Sequence, residues 1–370
     1  MGIEIDFLPV GNGEKSGDAI ALRFGNLFGS RNEQIVMVVD GGTQDSGQAL
    51  VEHIRAYYGT DTVDIVLSTH PDGDHASGLN VVMDELVVGQ LWMHRPWEHC
   101  TDISELFYDG RITDDSISDG LREDLEHAWE LEKIARRKRI RIVEPFCDGE
   151  VNRILPGNVA VLGPSLEFYE GLLPHFRDMP EVNEAVLAYL RKAMNSFAEG
   201  VSNLATKIAE GWGYETLADP EEDATSAENN SSTVVLIGYE NHQLLLTGDA
   251  GVPALEKAAD FAEFHGIDLR AVDFSQIPHH GSKRNVGPGI LDRILGPKLS
   301  ARSLTKSAFV SAAKKGMPKH PAKKVTNAYQ RRGFKVVATQ GTTKHFHRNA
   351  PARQGWTTAD LVPFFTEVDE

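Results

Sequence analysis

Alternating and continuous apolar runs divide the chain into short strands separated by helical stretches. The N-terminal part reads as three strands, IEIDFLPV, DAIALRFG and QIVMVVDGG, joined by glycine-rich turns. QALVEHIRAYYG then has helical apolar spacing, and the β-branched run VDIVLST predicts a strand ending near Thr69. GLNVVMDEL returns to a period near 3.6, so a helix begins near Asp74. VGQLWMHRP predicts another strand, and residues 102–139 are polar, acidic and mostly helical. NVAVLGPS is a strand, and residues 166–215 that follow it are rich in helix formers. STVVLIGYENHQLLLTGDA is a hairpin turning at Glu240 and Asn241. Beyond it, helices alternate with the strands AVDFSQI, AFVSAA and KVVAT, one helix starting at His320.

Two strand-rich halves alternating with helices predict an α/β layered sandwich. Residues 1–165 and 228–370 supply it, and residues 166–227 form a helical insertion. Strand ends from both halves then converge on one rim.

The chemistry lies at those strand ends. STHPDGDHASGL carries His70, Asp72, Asp74 and His75 within six positions, between a strand and a helix. Pro, Gly and Asp also favour exposed turns, but two imidazoles and two carboxylates on one loop call for a compensating charge, which a metal ion supplies. LLLTGDA ends a strand at Asp249, QIPHHGSKRN ends another at His279 and His280, and KGMPKHPAKK places His320 at a helix start. Alone, Asp249 reads equally as a helix cap and His279–His280 as an incidental pair. Together, all at strand ends, they predict one metal site.

This set resembles the metallo-β-lactamase-fold hydrolases. Their first signature, H-x-H-x-D-H, stands here as HPDGDH, with Asp72 in place of the second histidine. That variant, with GD and HHGS, is similar to the metallo-hydrolase domain of the competence protein ComEC/Rec2 group. VGNGEKSGDAI, VVDGG at Asp40, ENNSSTVVLI and the HP at His320 extend the likeness. The resemblance implies a four-layer αββα sandwich, the metallo-β-lactamase fold, with two divalent ions, zinc or manganese, on one edge. It implies His70 and Asp72 at the first ion, and Asp74 with one of His279 or His280 at the second. His75 stands beside them, Asp249 bridges both ions, and Asp40 orients a ligand by hydrogen bonds. Where the family often has a further histidine ligand, this chain has Asn229 and Asn230. The first position therefore has fewer protein ligands or uses an amide oxygen.

Three carboxylates, Asp72, Asp74 and Asp249, leave residual positive charge on two divalent ions, which favours an anionic substrate. Charge along the chain agrees. The net charge is −17, yet residues 293–359 hold fifteen Lys or Arg and no Asp or Glu. Such a segment is either a polyanion surface or an edge that pairs with the acidic body. Ser282, Lys283 and Arg284 follow the histidine pair, and Lys319, Lys323 and Lys324 flank His320, so these six are candidate phosphate contacts. Asp74 and His320 are the candidate catalytic residues, His320 as a proton donor or a ligand of a non-bridging oxygen. The expected activity is metal-dependent phosphodiester hydrolysis, most simply a nuclease acting on nucleic acid or a nucleotide. The alternatives are a small-molecule hydrolase (cyclic nucleotide, ester or lactam) and a non-catalytic metal or nucleic-acid binding module.

Weaker features complete the reading. His94 and His99 are either substitute ligands or partly buried core histidines. His345 and His347 share one face of any strand there, near a phosphate. Phe309, Tyr329, Phe334, Phe346 and Trp356 are stacking candidates or core. The helical insertion either covers the site or binds a partner protein or a second copy, and nothing in the sequence chooses among these. Two cysteines, Cys100 and Cys147, have no metal-type spacing, no apolar run approaches a membrane span, and MGIEIDFLPV lacks a signal-peptide pattern. We expect a soluble, cytoplasmic protein.

Overall fold

The computed structural model describes residues 1–11, 16–149, 159–183, 208–221, 223–315 and 320–368. The larger sheet contains β1 (Gly2–Phe7), β2 (Ala19–Gly25), β3 (Gln34–Gly41), β4 (Thr62–Leu67), β5 (Val87–Trp92), β6 (Arg141–Val143) and β14 (Lys344–Arg348). Its order is β14-β1-β2-β3-β4-β5-β6. The second contains β7 (Val159–Gly163), β9 (Val234–Tyr239), β10 (His242–Leu246), β11 (Phe274–Gln276), β12 (Lys306–Val310) and β13 (Phe334–Ala338), ordered β13-β12-β11-β10-β9-β7. A two-stranded ribbon joins β8 (Ile208–Ala209) to β15 (Glu367–Val368).

Each sheet is antiparallel on one side and parallel on the other. Period-2 side chains explain the stacking: Ile3, Ile5 and Phe7 of β1 meet Ile237, Leu244 and Phe274 of the facing sheet in one apolar layer. The outer face of the first sheet is covered by α1 (Gln44–His53), α2 (Gly73–Glu85) and α4 (Glu126–Lys138), with α3 (Asp114–Asp124) beside them. That of the second is covered by α7 (Val252–Phe264), α8 (Pro288–Leu295) and α9 (Lys323–Arg331). The result is the four-layer αββα sandwich that the pattern anticipates.

Two departures have physical causes. Of the stretch expected to be helical, residues 184–207 lie outside the described residues. Leu166–Leu172 is helical (α5), and its Tyr169, with Leu173 and Phe176, is buried in the helical layer of the first sheet. Residues 208–215, however, form β8 and turns rather than helix. Buried Glu210 there accepts from Arg331 and Asn327 of α9, a tie that a solvated helix would not need. Likewise β14 is largely polar, yet it pairs with β1. His345 bonds Asp6 Oδ1 at 2.9 Å on the outer face of that sheet, and His347 stacks on it, so this pair serves the β1 carboxylates and not a phosphate. Arg353 closes the same cluster on Glu4 and Asp6.

Candidate metal centre

Glycines let the loops close on one another. A Cβ at Gly78 on α2 would strike the carbonyl oxygen of Gly41, and one at Gly47 would strike that of Gly78. Their absence lets α2 approach β3, bringing His75 against Asp40. Asp40, His279 and His280 all have left-handed backbone (φ 55°, 45° and 56°), uncommon for residues with a Cβ. Strain of this kind concentrates at functional sites.

Four imidazoles converge on one oxygen. Asp249 Oδ2 lies 3.4 Å from His75 Nε2, 3.6 Å from His280 Nε2, 3.8 Å from His279 Nε2 and 4.0 Å from His70 Nε2. The same tautomer is imposed on each ring by an acceptor at Nδ1. His75 Nδ1 donates to Asp40 Oδ2 (2.9 Å) and His280 Nδ1 to the Ser311 carbonyl (3.1 Å). His279 Nδ1 donates to Asn285 Oδ1 (2.9 Å), whose amide is fixed because its nitrogen donates to the Asp249 carbonyl. Thr69 gives its hydroxyl hydrogen to Asp40 Oδ2, so it accepts from His70 Nδ1 at 3.0 Å. Every Nε2 is left to take an ion or, without one, a proton. His70 Nε2, His75 Nε2, His280 Nε2 and Asp249 Oδ1 are buried without hydrogen-bond partners, which is the donor set a divalent ion satisfies.

Charge and burial set the protonation. Burial alone would raise Asp249, but the surrounding histidines, His75 and His280 foremost, hold it well below the usual carboxylate range. Burial works to lower His75, yet Asp249 and Asp40 hold it well above an ordinary histidine. Burial carries His280 down to about 4, against the pull of Asp249, and holds His70 well below its ordinary value.

Each of the three groups of described side chains whose ligand atoms lie within 4.8 Å of one another contains His75: Asp74–His75–His280, Asp18–His75–Asp249 and Asp40–His70–His75. His280 thus joins Asp74, while the half-buried His279 also lines the groove beside the centre. Asp18 went unmarked as a site residue, although it stands in the SGDAI stretch at the entry to β2. It is buried, its Oδ1 has no partner, and its Oδ2 accepts from Gln276, whose own oxygen takes the N–H groups of Thr247 and Gly248. Burial pushes Asp18 up to about 7, partly offset by His75.

Asp72 is placed differently from its neighbours. Its Oδ2 lies 3.9 Å from His70 Nε2, while its Oδ1 accepts from Arg177. Burial raises its pKa to about 6, with Arg177 opposing. Asn230 is fully used, its oxygen on Gly251 N–H and its nitrogen on the Thr225 carbonyl, which takes it out of contention as a ligand. The Asn229 amide touches His279. His94 stacks between Phe146 and Tyr169, and His99 bonds Glu144 and Glu170, both committed to local packing.

A groove of about 1000 Å³ opens beside the centre, with His279 and His320 among its lining residues. Ser282, Lys283, Arg284, Lys314, Lys323 and Lys344 line it, with Asp360 the one acid among its lining residues. Lys324, expected beside Lys323, turns inward and is buried, because neighbouring helical residues point about 100° apart. Lys319 lies outside the described residues. The acid-free segment is divided between its two readings: Arg293, Lys298, Arg331, Arg332 and Arg353 pair with acidic residues, whereas Lys314, Lys323 and Lys344 face the groove. Phe309, Tyr329, Phe334 and Phe346 are core, and Trp356 packs on His345, so none is a stacking platform. Among the described residues no helix is long and apolar enough to cross a membrane.

Residues 27–164 match the family model of the metallo-beta-lactamase superfamily. YcaI of Escherichia coli strain K12, an uncharacterized protein, is 30% identical over 145 residues, or 38% of this chain. The chain spans only 17% of that relative's length. Among solved structures, the metallo-beta-lactamase fold protein YhfI from Bacillus subtilis has a TM-score of 0.43 at 9% identity, covering 94% of this chain and 100% of that one. A long form RNase Z from yeast has a TM-score of 0.39 at 10% identity, covering 93% and 41%. Residues 27–164 are thus similar to the metallo-beta-lactamase superfamily, and the four-layer sandwich that contains them is the metallo-beta-lactamase fold.

Proposed function

We propose that the protein is a metal-dependent hydrolase that cleaves phosphodiester bonds, with nucleic acid or a nucleotide as substrate. The observation that carries this reading is the four Nε2 atoms around Asp249 Oδ2, with His279 among them also lining a basic groove. His70, Asp72 and Asp249 would hold one divalent ion, and Asp74, His75, His280 and Asp249 the other. Zinc and manganese both suit an oxygen-rich imidazole set without thiolate. Such a pair supplies Lewis-acid charge and lowers the pKa of water toward neutrality.

The chain's own residues do the rest. Lys283, Arg284, Lys314, Lys323 and Lys344 draw a phosphate backbone along the groove and hold it in register. His320, with Nδ1 buried and without a partner, is placed at the groove to donate a proton to the departing oxygen or to bind a non-bridging one. Burial lowers its pKa, which favours the neutral imidazole and so the oxygen-binding role over proton donation. The motif variant with Asp72 favours kinship with the competence-protein hydrolases. A small-molecule hydrolase is the second reading, favoured by a groove volume within reach of small-ligand pockets. The test is cleavage of single-stranded DNA, double-stranded DNA, RNA and bis-p-nitrophenyl phosphate with added manganese or zinc. Cleavage of an oligonucleotide that is lost in Asp249→Ala supports the first reading, and turnover of the small diester alone supports the second.

A further inference from the structure

Asp72 is the member of the motif whose carboxylate already has a cationic partner. Arg177, on the segment after α5, donates from one terminal nitrogen to Asp72 Oδ1 and from Nε to Glu228 Oε1 at 3.0 Å. Its backbone N–H also donates to Glu228 Oε1, at 2.5 Å. Glu228 is buried and directly precedes Asn229 in α6 (Ala227–Asn230). One guanidinium therefore braces the two loops on either side of the first metal position. With Oδ1 held by Arg177, Asp72 turns Oδ2 toward His70 Nε2, 3.9 Å away.

The two positions differ in how they are assembled. Asp74, His75 and His280 already have mutually close ligand atoms, and none of the three such groups contains Asp72. An oriented Asp72 carboxylate consequently matters more there than any single ligand does at the second position. We propose that Arg177 is a positioning residue for the first metal position, setting Asp72 by tying it to Glu228. Arginine suits this task because its planar fork presents separate nitrogens to two carboxylates, which a lysine cannot do. Hydrogen-bond partners of metal ligands typically change metal affinity by about 10–100-fold.

This rests on the two-ion reading above, and the experiment separates the two. The metal-depleted full chain is titrated calorimetrically with manganese and with zinc, alongside Arg177→Gln, Asp72→Asn and the double variant. The wild type should bind two ions per chain. Arg177→Gln should weaken one of them about 10–100-fold and leave the other within about twofold. Asp72→Asn should affect the same ion, and the double variant should be no worse than Asp72→Asn alone, because both changes remove one linked function. If Arg177→Gln alters neither affinity, tightens the weaker ion, or weakens both ions alike, the inference fails and the two-ion reading stands. A wild type that takes up fewer than two ions removes both. Should Arg177→Gln fail to fold, Arg177→Lys, which keeps the charge but presents a single nitrogen in place of the planar fork, is read by the same criteria.

Discussion

His75 gives its Nδ1 hydrogen to Asp40, 2.9 Å away, and so presents Nε2 to Asp249 on the opposite side of the ring. Asp40 accepts twice more, from the Thr69 amide at 2.8 Å and its hydroxyl at 2.7 Å, and Thr69 in turn orients His70. One buried carboxylate thereby sets two imidazoles. Asp40→Asn replaces one acceptor oxygen by an NH2 group facing a donor. We expect a loss of about 1–3 kcal/mol in stability and of about 10–100-fold in metal affinity. Denaturant unfolding and metal titration of the variant measure the two separately, and unchanged affinity would deny Asp40 its orienting role.

Asp72 stands in this motif where H-x-H-x-D-H has its second histidine. Asp72→His should preserve metal uptake and move the preference toward zinc, since imidazole suits zinc and carboxylate suits manganese. Competition between the two metals for the depleted protein reads this directly. Full metal content and turnover in Asp72→Ala would show that the residue is a turn and not a ligand.

The groove makes a prediction about salt. Lys314 and Lys344 line it from different elements and stand clear of the metal ligands. Oligonucleotide affinity should fall with salt, with a log–log slope of roughly −0.7 per phosphate contact on single strands. Replacing both lysines by Ala should flatten that slope and leave turnover of bis-p-nitrophenyl phosphate unchanged. Salt-independent binding in the wild type would favour the small-molecule reading instead.

His94 allows a test of pH dependence away from the metal centre. Its ring is buried between Phe146 and Tyr169, lies near the Pro145 carbonyl, and makes no hydrogen bond of ordinary geometry. Burial drives its pKa down to about 3, opposed in part by Glu144. The folded chain therefore binds fewer protons than the unfolded one once pH drops below about 6.5. The stability involved is intact above that value and is lost progressively as pH falls toward 3. His94→Phe should lose less stability than the wild type between pH 7 and pH 5, as measured by urea unfolding. Parallel losses in both proteins would refute the assignment.

Much of the sandwich was legible because its strands are apolar and sharply bounded, as LLLTGDA and VDIVLST illustrate. The metal loops were legible for a related reason: charged residues at strand ends are too costly to be incidental when several recur. What escaped depends on partners far apart in sequence. Glu4 and Asp6 are fully buried on the polar face of β1, and Arg353, which neutralises them, lies nearly the whole chain away. Arg177 is one arginine in a helix-forming stretch until the fold brings it to Asp72, 105 positions earlier. Asp18 left a visible signal, a carboxylate at a strand entrance directly after Gly17, but lacked the local companions that marked His70 to His75. β6, at three residues, is too short to carry a period.

The account turns on Asp249 as the carboxylate around which the metal centre is built. Its most direct test is a crystal of the manganese-loaded protein, with anomalous difference density measured at the manganese edge. Two peaks should stand on either side of the Asp249 carboxylate, one toward His70 and Asp72 and the other toward Asp74, His75 and His280. Absence of any peak at Asp249, or ions bound only elsewhere on the chain, would contradict the account.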